Sequence, residues 1–395
     1  MSHRVYNIMI TIIVYIVVIN VTFMSCLNNQ LIAQDKPLTA LHYTSRIPDE
    51  TTQSALWQAL LFHPSEWYAS ESAQKIAENI LAYQRSSGGW PKNLDYRASI
   101  NNIEKKDLEK YTNEPLATID NGATYTELQF LALIYQQDRD QRYMLAFLKG
   151  LDYLLRAQYD NGGWPQYYPL RKGYYSHITY NDDAMIGVMR LLREIAGNNP
   201  LYGFVDHNRR EKAGRAVIKG IDCILKTQIK VNGKLTVWCA QYDEKTLKPT
   251  NARAYELVSL SGKESVNIVW FLMELENPSP EIINAVQGAI DWFNKVRIEG
   301  IRQERETDSR SPTGKNKLVL PDPEAPSIWA RFYTIETNQP FFSDRDGKIY
   351  QHLSDISSER RNEYGWLGYW PEELLERFYP QWQQRWTPQE NVLTK

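Results

Sequence analysis

One repeated pattern narrows the folds open to this chain more than any other. The segment YQRSSGGWPKN (83–93) closes one amphipathic stretch, and AQYDNGGWPQYYP (157–169) closes another. Both read helix, glutamine, polar turn, then Gly-Gly-Trp-Pro. Gly88 and Gly162 are far enough apart to hold two helices and their loops between them. The segment KTQIKVNGKLTVWCAQYD (226–243) reads as a third, degenerate copy with Gln228 and Trp238. Helix pairs that recur and bury a shared face predict an all-α protein, an α/α toroid that is partly open, with long aromatic loops and a few short strands. Gly-Gly stops each helix and Pro keeps the chain from resuming it. Trp90 and Trp164 would then stand at the mouth of the ring, where they either plug the end or meet a ligand.

The apolar periodicity predicts helices over 51–63, 71–84, 124–136, 141–158, 181–197, 209–229, 265–276, 280–297 and 371–378. Strand signals are few, and the best is a hairpin turning at Asn232-Gly233. The N-terminus carries Arg4 and an apolar run over residues 8–24, followed by FMSC. This reads as an export signal over 1–26 with Cys26 as a lipid-bearing residue. Ordinary cleavage and an uncleaved anchor are the alternatives. A polar linker (27–50) and one catalytic domain (51–395) follow. Export makes a Cys223–Cys239 disulfide feasible, and two buried free thiols fit equally well. With 45 Lys plus Arg against 47 Asp plus Glu, the net charge of −2 argues against a nucleic-acid binder, which needs a basic surface. A local basic groove for an acidic ligand remains open.

Two loops run directly into apolar helices. TIDNGATY (118–125) places Asp120 and Asn121 at a helix start, and TYNDDAMI (179–186) places Asn181, Asp182 and Asp183 at another. A single such acid is most simply a helix cap, with a contribution of roughly 1 kcal/mol. Two on equivalent turns of a repeat would converge on one rim, where carboxylates can hold a hard cation. The stretch PTNARAYELVSLSGKESV (249–266) is neither a regular helix nor a strand. Arg253 there has Glu256 or Asp243 as simple ion-pair partners, and Ser261 with Glu264 reads as a capping box. Arg345 lies between two aspartates in a turn, beside a second aromatic loop carrying Tyr364, Trp366, Tyr369 and Trp370. No P-loop, GxGxxG, HExxH, CxxC pair or GxSxG is present, and His177 reads as structural.

Taken together, GGWPKN, TIDNGAT, YDNGGWPQ, YNDDAM, ARAYELVSLSG and ETNQPFFSDRDG, in this order, resemble the pectate lyases of polysaccharide lyase family ten. The resemblance spans roughly residues 45–385 and implies an α/α toroid and Ca2+-assisted β-elimination of polygalacturonate. It implies Arg253 as the Brønsted base and Asp120 with Asp182 as the Ca2+ side of the site. It implies Arg345 as a carboxylate binder, with Lys263, Asp182, Asn121, Tyr180 and Trp164 also on the substrate side. Other expectations are an exported protein, secreted, periplasmic or lipid-anchored at Cys26, acting as a monomer on pectate and on no nucleic acid. Two other readings compete. One is a toroidal glycoside hydrolase using Asp120 and Asp182 as acid and base. The other is a non-catalytic, glycan-binding surface lipoprotein.

Overall fold

A computed structural model describes residues 58–98 and 112–394. The expected export signal, Cys26, the linker and the start of the 51–63 helix lie outside the described residues. Within them, that helix is the short 3-10 turn Ala59–Phe62.

The remaining predicted helices form close to their expected limits. They are α1 (Glu71–Tyr83), α2 (Tyr125–Asp138), α3 (Gln141–Ala157), α4 (Ala184–Ala196), α5 (His207–Thr227), α6 (Glu264–Met273) and α7 (Pro280–Lys295). Local chemistry starts several of them. Ser70, Asp140, Asp206 and Ser279 each accept a backbone N–H of the first turn, and Pro280 opens α7, where no N–H is needed. A short α8 (Ser358–Glu363) comes next. The predicted 371–378 helix begins late, as a π-turn over Leu374–Phe378, and runs on into α9 (Tyr379–Trp386).

The helices pair in chain order. α2 packs on α3, α4 on α5, and α6 on α7. α2, α4 and α6 also pack in one row, and α3, α5 and α7 in a second. The first row is covered on nearly all sides: nine of the ten α6 residues are buried. The second row keeps a polar face in solvent, as the charged surface of α5 shows. No described helix is long and apolar enough to cross a membrane.

The repeat seen in the sequence is a hydrogen-bonded device. The Gln84 amide donates to the Gly88 carbonyl of its own loop and to Ala146 O of α3, each at 2.8 Å. Gln158 does the same with Gly162 and Ala216, both at 2.9 Å. Gln228 does it with Thr236 and Ala285, both at 2.8 Å. Each tryptophan turns its indole N–H back to the preceding helix: Trp90 to Ile80 O, Trp164 to Leu154 O and Trp238 to Ile224 O. A fourth copy has no Gly-Gly at all, since Trp329 donates to Phe293 O of α7 at 2.9 Å. Gly88 and Gly162 lie at φ +110° and +93°, and a β-carbon there would overlap Lys149 O of α3 or Lys219 O of α5.

Strands are short pieces that tie these loops to the helix starts, and the hairpin at Asn232-Gly233 forms as expected. A second hairpin, Ile301–Thr307 with Lys315–Pro321, was not expected. Its first strand, IRQERET, is mostly charged and half-exposed, so it lacks the apolar alternation that marks a strand. Cys223 and Cys239 are buried free thiols.

Candidate active site

Three loops converge through the same ladder. Thr118 N–H donates to Trp90 O, Thr179 N–H to Trp164 O, and Ser261 N–H to Trp238 O. The next residue in each case reaches the carbonyl two places after the following tryptophan: Ile119 to Gln166, Tyr180 to Ala240, and Gly262 to Arg331. This register makes Asp120, Asn181 and Lys263 equivalent, and Asn121, Asp182 and Glu264 equivalent. It places the starts of α2, α4 and α6 around one rim. The turns Asp120–Gly122 and Asn181–Asp183 pack directly on each other. Asn121 and Asp182 hold matching left-handed conformations, φ 53° and 49°, which Asn and Asp tolerate best among residues with a β-carbon. Thr124 is a rarer case, a buried β-branched residue at φ 70°. Its hydroxyl donates to Thr118 O at 2.8 Å and accepts from Trp90 N at 3.0 Å, which fixes the Asp120 turn despite the strain.

The charges on this rim are mixed and close. Asp120 is 3% exposed and pairs with Lys92. Burial pushes its carboxyl up and Asp182 adds to that, while Lys92 pulls the other way. Asp182 accepts from Lys263 Nζ at 3.0 Å and lies 3.5 Å from Arg331 Nη2. Burial alone would raise its carboxyl as well, but Lys263 and Arg331 prevail and hold it well below the usual range. Arg331 is buried, bonds Asn181 Oδ1 at 3.0 Å and pairs with the buried Glu264.

Arg253 faces the same space. It forks onto Glu256, with Nε at 2.8 Å, and Glu256 also accepts from Tyr364 Oη at 2.9 Å. Of its two expected partners it takes Glu256, because Asp243 is used in its own turn by Lys245 and Thr246. Burial works against the Arg253 charge, but Glu256 outweighs it and raises the guanidinium further. The Arg253 charge acts on both Asp182 and Lys92.

The expected site residues therefore divide into groups. Asp120, Asn121, Asp182, Lys263 and Arg253 come together. Asn121 stands at the edge, where its amide donates to Asn93 Oδ1 at 2.9 Å. Arg345 stands apart on an exposed loop, forked onto Glu359 by two 2.9 Å bonds. Its link to the site is the Tyr255 ring, which lies 5.7 Å from Arg345 and 5.0 Å from Arg253. Trp164 and Tyr180 require correction. Both are fully buried, and Tyr180 Oη bonds Thr227 Oγ1 at 2.9 Å, so neither presents a surface to a substrate. The capping box at Ser261 is also corrected. The Glu264 N–H does donate to Ser261 Oγ at 3.1 Å, but the Glu264 carboxylate accepts from the Ser261 hydroxyl and pairs with Arg331, while the Ser261 N–H goes to Trp238 O.

Sequence reasoning missed Lys92 and Arg331. Each lies two residues after a repeat tryptophan, Trp90 or Trp329, and each meets a rim carboxylate. The signal was present in WPK (90–92) and WAR (329–331) once Trp329 is seen as a fourth copy.

Comparison with known proteins agrees with this geometry. The family described as pectic acid lyase matches residues 84–375. No curated protein matches the chain. A solved family 10 polysaccharide lyase from Cellvibrio cellulosa is 35% identical, with 85% of this chain and 96% of that one covered and a TM-score of 0.70. An aspartate-to-alanine mutant of a family 10 polysaccharide lyase from the same organism, in complex with trigalacturonic acid, is 34% identical. There 89% of this chain and 100% of that one are covered, with a TM-score of 0.72. With the motifs, the rim of paired charges and these matches in agreement, the chain belongs to the pectic acid lyases, family 10 of the polysaccharide lyases.

Proposed function

We propose that this lyase is a pectate lyase that cleaves polygalacturonate by Ca2+-assisted anti β-elimination, giving 4,5-unsaturated oligogalacturonides. The observation that carries the reading is the convergence of two carboxylates, Asp120 and Asp182, with four cations, Lys92, Arg253, Lys263 and Arg331, on one rim. The related mutant lyase in complex with trigalacturonic acid supports the substrate class. Membership of a lyase family leaves no place for the hydrolase and binding-only alternatives.

The donor set fits a hard cation. Asp120 and Asp182 offer carboxylate oxygens on adjoining turns, the chemistry Ca2+ prefers. Among the described residues no three acidic, His or Cys side chains form a closed cage. An ion held by Asp120 and Asp182 would therefore share its remaining positions with the uronate. When bound, Ca2+ neutralises the charge that builds on the uronate carboxylate and so acidifies the C5–H bond.

The protein's own groups do the rest. Lys263 and Arg331 hold Asp182 ionised and aimed at the rim. Arg253 takes the C5 proton, the freed electron pair forms the C4–C5 double bond, and the C4–O bond breaks, with the leaving oxygen protonated by water. A guanidinium accepts a proton only after losing one. The neighbouring Lys92, Lys263 and Arg331 favour that loss, and Glu256 opposes it, so the rate should climb toward alkaline pH. The two rows of paired helices support closing into the expected α/α toroid. We extend the reading to an exported monomer, secreted or anchored through Cys26.

The test is Arg253→Lys, followed by the ultraviolet absorbance of unsaturated ends formed from polygalacturonate with Ca2+. We expect a loss of roughly 10³-fold. Retention of most activity would remove Arg253 from the chemistry, and a wild type that forms no unsaturated ends would overturn the function.

A further inference from the structure

The loop after Trp164, QYYPLRKGYYS (166–176), carries four tyrosines and two cations and no carboxylate. It stands beside the rim. Tyr167 pairs in register with Thr118, two residues before Asp120. Gln166 N–H bonds Tyr175 O at 3.1 Å and Tyr159 Oη bonds Ser176 O at 2.7 Å, so both ends of the loop are tied down. Gly173, at φ 92°, makes the tight return that brings Tyr174 and Tyr175 back over the strand. Their rings lie 4.0 Å apart, and Tyr167 meets Tyr175 edge-on at 5.4 Å. The charges of Arg253 and Glu256 still reach the Tyr174 phenol, so this aromatic group flanks the site on the Arg253 side.

Arg171 is the unusual member. Its guanidinium lies 4.0 Å from the Tyr175 ring centre and 5.4 Å from that of Tyr167. Among the described residues it is the one arginine that makes neither a hydrogen bond nor an ion pair. The other cations near the rim are already committed: Lys92 to Asp120, Arg253 to Glu256, Lys263 to Asp182, and Arg345 to Glu359. A guanidinium held on aromatic faces keeps its planar fork ordered, and all its donors stay available for a carboxylate. Tyrosine edges and faces beside it suit the C–H surface of a pyranose.

We propose that Arg171, with Tyr167, Tyr174 and Tyr175, forms a uronate subsite remote from the bond that breaks, and that it grips a galacturonate further along the same polymer chain. This rests on the pectate reading for its ligand. The subsite adds affinity for longer substrates, and its contribution fades when the oligomer is too short to reach it.

The experiment compares kcat/KM on tri-, tetra-, penta- and hexagalacturonate for the wild type and Arg171→Ala. We expect roughly a tenfold loss on the hexamer, carried by KM, that shrinks steadily as the oligomer shortens. Arg171→Lys should recover part of it, because the charge remains while the fork is lost. Arg171 is exposed, so the variant should fold, and an unchanged melting temperature checks this. An equal loss at every length, or none at any length, overturns the subsite. Calorimetric binding of hexagalacturonate, with neutral maltohexaose as control, separates the two readings. Binding that depends on Arg171 in a protein without turnover would sink the lyase function and keep the subsite. Turnover without a length-dependent loss would sink the subsite and keep the function.

Discussion

Asp120 and Asp182 sit on two turns of nearly the same backbone, yet their surroundings differ. Both turns follow a threonine bonded to a repeat tryptophan, and both contain a left-handed residue. The acids are one position out of step. Asp120 takes the slot that Asn181 fills in the second turn, and Asp182 takes the slot of Asn121. The first slot points inward, where Asp120 has one cation and little solvent, and its carboxyl is pushed up. The second slot opens outward, where Asp182 is 29% exposed and meets Lys263 and Arg331, and its carboxyl is pulled down. A one-residue offset in a repeated turn thus yields two carboxylates of unlike depth and unlike charge stability in one site.

The strongest way to break that contrast is to neutralise each acid in turn. Asp182→Asn should lower the rate of unsaturated product by roughly 10³-fold, since it strands Lys263, leaves Arg331 to Glu264 alone among the acids and removes the firmly ionised ligand. Asp120→Asn should cost less, roughly 10²-fold, and should recover in part with excess Ca2+. Equal losses with equal calcium dependence would make the two acids interchangeable.

A second comparison sets the supporting cations against each other. Arg331 is 4% exposed and faces the 1% exposed Glu264. Arg331→Met leaves that carboxylate buried and uncompensated, and urea denaturation should report a loss of about 3–5 kcal/mol. Lys92, with 30% of its side chain exposed, should cost about 1–2 kcal/mol as Lys92→Met. Similar costs would mean that the two cations are embedded alike.

The third and smallest effect lies behind the turns. Glu127 of α2 is buried, and burial raises its carboxyl from the ordinary 4.5 to about 7. The matching residue of α4 is the buried apolar Val188. An acid raised on folding stabilises fully below its unfolded value, and that stability drains away as pH climbs from 4.5 to about 7. Glu127→Gln should therefore gain about 2 kcal/mol over the wild type at pH 8 and little at pH 4, read from chemical denaturation at both. A gain that does not vary with pH would show that the Glu127 carboxyl titrates in the folded chain as it does in the unfolded one.

Much of this was legible in the sequence wherever the signal was local. The helices followed from apolar spacing, and the first two repeat copies from Gly-Gly-Trp-Pro. The bond from each tryptophan back to its helix shows why the rest was hidden. It spans 10 residues for Trp90 and Trp164, 14 for Trp238, and 36 for Trp329. The last interval holds the charged hairpin 301–321, so the fourth copy, and Arg331 with it, is recognisable only by its hydrogen bond. Trp164 and Tyr180 failed for a different reason. Aromatic residues beside Gly and Pro resemble an exposed binding face, but here their N–H and O–H groups find internal partners and the rings fill the core.

The glutamine that closes α1, α3 and α5 has a wider consequence. Gln84, Gln158 and Gln228 each fasten their own loop and also the helix of the following unit. No hairpin can be lifted out without unlatching its neighbour. The array should therefore melt as a single cooperative body, and damage at one latch should be felt several units away before any helix has come apart.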